Sequence, residues 1–228
     1  MREIVKSREP RELEEYRRKS DAVYDGPQFT EVKEAIRDQL LNEQGYLCAY
    51  CMRRISSGYG QMKVEHWHCQ DNYKFEQLDY KNMLGVCSGN EGSPLENQTC
   101  DTRKGNVELK YNPANCSHRI ESQIYFLLDT GMIESSDGEF NAQLNNVLNL
   151  NHTRLKNNRK VVWGEVHQEL SKRFSKKPGT RTSVEKATEI EKLLGKWNSK
   201  DGQGFLREYC AVAIYYLERE KGKFVSKF

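Results

Sequence analysis

Cys48 and Cys51 are two residues apart, the spacing at which a tight turn aims two thiolates at one metal ion. Cys87 and Cys100 can complete a four-thiolate site, the alternative being that one or both are simply buried thiols. Zn2+ suits that geometry, and a closed site of this kind is structural, not catalytic. The twelve residues Ser88–Thr99 read as a loop inserted into the second half of the knuckle. Between the cysteine pairs stands Val64-Glu65-His66-Trp67-His68. Neighbours on a strand point to opposite sides, so the Glu65 carboxylate can hold a hard divalent ion while the His66 imidazole faces an attacking water. A neutral imidazole suits proton abstraction near pH 7. Asp101 is expected to open a short helix and to bring a second oxygen ligand beside Glu65. Two carboxylates favour Mg2+ or Mn2+ over softer ions. Lys104, one turn further on, can approach a phosphate bound there, or is simply a lysine on the helix surface. The chemistry these residue types would perform together is metal-assisted phosphodiester hydrolysis.

His68, two residues from His66, would share its face if the strand continued, as a contact to substrate, a substitute ligand or a hydrogen-bonding group. Cys69, Cys116 and Cys210 read as packed or free thiols. Cys116-x-His118 is an isolated pair, and Trp163 and Trp197 fit core stripes of helices.

The flanks that must position this segment are helical. A helix is expected from Pro10 through Leu13 and Tyr16, then a break at Gly26-Pro27. A second helix has Thr30 as its cap, Val32, Ala35, Ile36 and Leu40 at helical spacing, and Gly45 as its stop. Residues 46–106 are rich in Cys, Gly, Asn and Tyr, with short apolar pieces, and a metal is expected to hold them together. Alternation over 120–128, a turn at Asp129-Thr130-Gly131 and Met132-Ile133 suggest a hairpin. Leu155, Val162, Val166, Leu170 and Phe174 mark a long helix, and Lys177-Pro178-Gly179 a break. Thr182 with Glu185 forms a capping box before the next helix, and a final helix is expected at about 205–220. The organisation that follows is α+β. A helical segment spans 1–43, a metal-held core 44–110, and a hairpin with a mainly helical region for substrate or partner docking 111–228.

The chain has 228 residues, 30% of them charged and 36% hydrophobic, with a formal net charge of +3. Twelve Tyr, eight Phe and three Trp exclude a disordered chain. No apolar run has the length of a membrane span, and no secretory signal is evident, so a cytoplasmic location and reduced thiols are expected. Within 151–181, nine Lys and Arg stand against only Glu165 and Glu169. That local excess fits a phosphate-contacting face, or a solvated helix face and loop.

The order Cys-x2-Cys, Glu-His, Asn, Cys, Cys-Asp-x-x-Lys-Gly resembles the zinc-stabilised HNH (ββα-metal) endonucleases. The nearer resemblance is to the HNH subunit of the Septu anti-phage defence systems, including those associated with retrons. It is carried by Arg8-Glu9-Pro10, Leu47-Cys48-Ala49-Tyr50-Cys51, Val64-Glu65-His66, Leu78-Asp79-Tyr80-Lys81-Asn82-Met83-Leu84, Cys100-Asp101-x-x-Lys104-Gly105 and Leu148-Asn149-Leu150-Asn151. It covers at least residues 8–155. The resemblance implies a fold of two strands, an Asn-bearing loop and a helix. It implies His66 as general base, Glu65 and Asp101 as ligands of a catalytic Mg2+ or Mn2+, and Asn82 as the residue holding the hairpin that orients His66. It further implies nucleic acid, DNA or RNA, as substrate, an ATPase subunit as partner, and retron reverse transcriptase with its msDNA as a further one. This sequence departs from the family pattern in Glu at position 65, Asp at position 101 and the Ser88–Thr99 insertion. The competing expectations are a noncatalytic zinc-held nucleic-acid-binding or adaptor module, and a stand-alone restriction or homing HNH nuclease. The first has no use for Glu65, His66 and Asp101 together.

Overall fold

The computed structural model describes residues 1–58, 60–175 and 182–225, side chains through 224. It is an α+β protein with two small antiparallel hairpins set among helices. Helices α1 (Arg11–Tyr16) and α2 (Thr30–Gln44) come first. Pro10 caps α1 from outside rather than opening it, and Thr30 is already within α2, preceded by Phe29 in helical conformation. Gly45 ends α2 in the left-handed conformation, as its lack of a Cβ allows.

Strands β1 (Lys63–His66) and β2 (Met83–Val86) pair antiparallel, with Glu65 opposite Leu84 and His66 opposite Met83. The five-residue α3 (Cys100–Lys104) follows. The second hairpin, β3 (Tyr125–Leu127) and β4 (Met132–Glu134), is shorter than the alternation suggested, because residues 120–123 coil into a 3-10 turn. A short α4 (Gly138–Ala142) runs into a wide turn at Gln143–Val147. The long α5 (Thr153–Ser175), α6 (Ser183–Asn198) and α7 (Cys210–Val225) complete the described fold. The Thr182–Glu185 capping box opens α6. The expected break at Lys177-Pro178-Gly179 lies outside the described residues. Among those residues, no helix is long and apolar enough to cross a membrane.

The last helix begins later than its apolar spacing suggested. Residues ahead of it spend their backbone groups elsewhere: Leu206 N–H donates to Gly45 O (3.0 Å) and Tyr209 N–H to Met52 O (3.1 Å). Those bonds staple the α6–α7 connection to the first cysteine knuckle, and a helix through 205–209 would forfeit them.

Two apolar cores result. The smaller packs Leu13, Tyr16, Val32, Ile36 and Leu40 of α1 and α2 against Leu78, Tyr80 and Met83. The larger runs from Leu47, Tyr50, Ile55, Leu84 and Val86 to Leu155, Val166, Leu193 and Leu217. The segment 46–106 therefore buries more apolar surface than its composition suggested, because it is sandwiched between helices on both sides. Gln44, at the end of α2, fixes the depth of β2. Its amide accepts from Gly85 N–H and donates to the carbonyls of Gly85 and Leu47, each at 2.7 Å. A Cβ on Gly85 would stand 3.2 Å from that amide, so Gln44 would have to give way to it.

Candidate metal centre and adjoining cleft

Cys48 and Cys51 sit on a tight turn in which Met52 N–H donates to Cys48 O (3.0 Å) and Cys48 N–H to Arg53 O (2.9 Å). Ala49 N–H donates to Gly85 O (3.0 Å), docking that turn on β2, which ends one residue before Cys87. The insertion Ser88–Thr99 closes at its base, where Thr99 N–H donates to Gly89 O (2.9 Å), so Cys87 and Cys100 meet despite it. Sulfur–sulfur distances are 3.9 Å for Cys48–Cys100 and 3.8 Å for both Cys51–Cys87 and Cys87–Cys100. A tetrahedron with metal–sulfur bonds of about 2.3 Å has an edge of about 3.8 Å. All four sulfurs are buried and lie within 4.8 Å of one another. They are too far apart for disulfides, and all seven cysteines are free. Hydrogen bonds from Cys100, Cys48 and Cys51 push the Cys87 thiol far down, and those of Cys48, Cys51 and Cys87 push Cys100 up. Four buried thiols in mutual contact cannot all ionise without a cation among them. The set fits a zinc ion, and Cys48, Cys51, Cys87 and Cys100 could hold it.

The adjoining cleft, of about 290 Å³, is bordered by Val64, Glu65, His66, Cys69, Gln70, Asp71, Asp101, Gly105 and Asn106. Glu65 and His66 leave β1 toward different partners yet both reach it. Glu65 Oε1 accepts from Tyr50 OH (3.1 Å) and pairs with Lys104 Nζ (2.8 Å). Burial first, then Asp101, push the Glu65 pKa well up, and Lys104 only partly offsets this. Burial alone would raise Asp101 too, but its interaction with Glu65 and the charges of Lys63 and Lys104 bring it below its ordinary value. Carboxylate oxygens are the donors that a hard divalent ion takes, but among the described residues only the four cysteines gather three or more candidate ligands.

His66 is 8% exposed and packs edge-on against Tyr24, with ring centroids 4.5 Å apart. Its Nε2 lies 2.9 Å from the Gln77 carbonyl oxygen. A carbonyl only accepts, so Nε2 carries the hydrogen and Nδ1 keeps the basic lone pair. The Gln70 amide nitrogen lies 3.3 Å from the same ring nitrogen. Among the described residues Nδ1 makes no hydrogen bond. Burial lowers the His66 pKa despite the Gln77 carbonyl, so the ring is neutral near pH 7. Asn82 grips the loop that follows β1. Its amide accepts from His68 N–H (2.8 Å) and donates to His68 O (3.0 Å), while its own carbonyl accepts from Trp67 N–H (2.9 Å).

Two expectations are corrected. Lys104 is neither on the surface nor turned to the cleft: it is 2% exposed, drawn inward by Glu65. His68 does not share the cleft with His66, because β1 ends at His66. Its ring stacks on Tyr73 and sits between Glu76 (2.6 Å from Nδ1) and Glu108 (3.5 Å from Nε2). The basic stretch is also divided. Arg159 is buried and donates to Gly131 O, Leu150 O and Asn151 Oδ1, and Arg173 is paired with Glu169 and Glu189. Lys176, Lys177 and Arg181 lie outside the described residues. Cys116 is exposed, and its neighbour His118 accepts from Asn112 N–H (2.8 Å), so that pair makes no ligand group.

Lys63, Tyr50, Tyr24 and the Gln77 carbonyl were missed in the sequence. Only Lys63 carried a signal, since it stands two residues before Glu65 and so on the same face of a strand. No protein-family model matches the chain, and no curated protein matches it.

Proposed function

We propose that the chain is a metal-dependent endonuclease of the HNH (ββα-metal) class that hydrolyses phosphodiester bonds in nucleic acid. The observation that carries this reading is the convergence of His66 with Glu65 and Asp101 on one cleft. His66 is held through Nε2 so that Nδ1 is basic, and burial lowers its pKa; the two acids border the same cleft, each beside a lysine. A structural role alone needs no histidine with its basic nitrogen unengaged. The β1–β2 hairpin followed by α3 supplies the order of elements that the HNH resemblance implies.

In this reading Glu65 and Asp101 hold a Mg2+ or Mn2+ ion, which when bound supplies stabilisation of negative charge on the phosphate. His66 Nδ1 takes the proton of the attacking water. Gln77 O fixes the tautomer and Tyr24 the ring plane. Asn82, by closing the 67–82 loop on His68, keeps His66 at the strand end. Lys104 balances the carboxylates from behind. The four cysteines, with zinc, hold α3 and Asp101 against the hairpin. The finer assignment, an effector subunit working with an ATPase and with retron reverse transcriptase and msDNA as further partners in anti-phage defence, rests on the resemblance alone.

One observation favours a noncatalytic zinc-held module: both carboxylates already have lysine partners, Glu65 with Lys104 and Asp101 with Lys63. Cleavage decides between them. Labelled DNA and RNA are incubated with wild type or His66→Ala, in Mg2+, Mn2+ or EDTA, with and without the ATPase. The expected result is metal-dependent cutting that falls by about 10²-fold or more in the variant. Equal behaviour of the two zinc-loaded proteins under every condition would sink the nuclease reading.

A further inference from the structure

Lys63 is placed at the meeting point of three elements. It stands on β1, two residues before Glu65, and its Nζ lies 3.2 Å from Asp101 Oδ2 and 3.1 Å from Thr102 Oγ1 on α3. The same Nζ is 3.5 Å from Glu91 Oε1, in the loop inserted between Cys87 and Cys100. Its side chain is 32% exposed, whereas that of Lys104, the other lysine in the cluster, is 1% exposed. Lys104 is enclosed, whereas Lys63 reaches solvent.

We propose that Lys63 is a mobile latch that competes with the divalent ion for Asp101, with Glu91 of the inserted loop as its alternate station. The proposal rests on the reading of Glu65 and Asp101 as metal ligands. An ion arriving at these carboxylates meets the Lys63 ammonium on one of them. Like charges at this range oppose one another even when well solvated: a single charge about 6 Å from a divalent ion, at the dielectric of water, weakens binding roughly tenfold. Movement of Nζ from Asp101 to Glu91 relieves that repulsion without stranding the ammonium, because both carboxylates are already within its reach. The insertion thereby sets the ion affinity of the site, a task that the zinc knuckle does not require of it.

The test is calorimetric titration of Mn2+ into zinc-loaded protein, with zinc content and circular dichroism as folding controls. Lys63→Gln should bind Mn2+ about tenfold more tightly than wild type. Glu91→Gln should bind it several-fold more weakly, since the lysine then settles on Asp101. The double variant should match Lys63→Gln. Glu91 is well exposed, at 64%, so its substitution carries the test should Lys63→Gln fail to fold. Equal or weaker binding in folded Lys63→Gln overturns the latch. Where Glu91→Gln stands alone, unchanged or tighter binding does so. If Asp101→Asn then still abolishes binding, the metal reading stands without the latch. No Mn2+ binding in any variant, wild type included, overturns both.

Discussion

Replacing Lys104 with methionine removes the buried cation that pairs with Glu65. Glu65 is 4% exposed and Lys104 2%, and their charged atoms are 2.8 Å apart. Removing one member of a buried, hydrogen-bonded ion pair costs about 3–5 kcal/mol, because the remaining charge stays desolvated without compensation. Two features set the value toward the lower end. Tyr50 OH still donates to Glu65, and Glu65 can take a proton, since its pKa is already pushed up by burial and by Asp101. The expected loss is therefore about 3 kcal/mol, measured by urea unfolding of zinc-saturated protein near pH 7. Adding Glu65→Gln to Lys104→Met should restore roughly half of it, because an amide has no charge to strand. A Lys104→Met variant within about 0.5 kcal/mol of wild type would refute the reasoning, as would a double variant less stable than the single one.

Gly89 has φ +59°, and a Cβ there would stand 2.2 Å from Thr99 O, a main-chain atom of the residue whose N–H closes the inserted loop on Gly89 O. Gly89→Ala should cost about 2 kcal/mol or more and weaken zinc retention against a chelator, since Cys87 and Cys100 flank that closure; unchanged chelation kinetics would count against it. Lys6 is buried beside Glu43 (3.2 Å), and burial pushes its pKa from 10.5 down to about 8 despite that carboxylate. Between those values the unfolded chain binds more protons than the native one, so this residue makes stability rise with pH from about 8 to 10.5. Wild type should gain on Lys6→Met between pH 7.5 and 9.5, by up to about 2 kcal/mol, in parallel denaturation curves. A constant gap between the two would contradict the buried charge.

Local chemistry was legible from the residues alone. Gly45 ends α2 and Thr182 with Glu185 opens α6 because caps are made within a few residues of chain. Their hydrogen bonds do not depend on how the rest of the protein packs. The four cysteines were legible because tetrahedral thiolate coordination asks for a fixed number of ligands of one kind, and the structure gathers those four into one buried group. Glu65, His66 and Asp101 border one cleft, and the sequence had led Asp101 to be expected beside Glu65.

Tertiary packing alone decided which partners these side chains take. Lys104 was expected at a bound phosphate or on the helix surface because its neighbours in sequence say nothing of Glu65, which reaches it only when β1 lies against α3. His68 left the face of His66 because Asn82 ends the strand's alternation by gripping its main chain. The tautomer of His66 depends on a carbonyl, Gln77 O, and a main-chain acceptor has no signature in sequence at all. The start of α7 moved because Gly45 and Met52 offered its preceding residues better partners than a further helical turn would. In each case the deciding interaction joins segments remote in the chain. Periodicity and spacing report which surfaces a segment offers, whereas burial in the assembled fold selects the group that answers them.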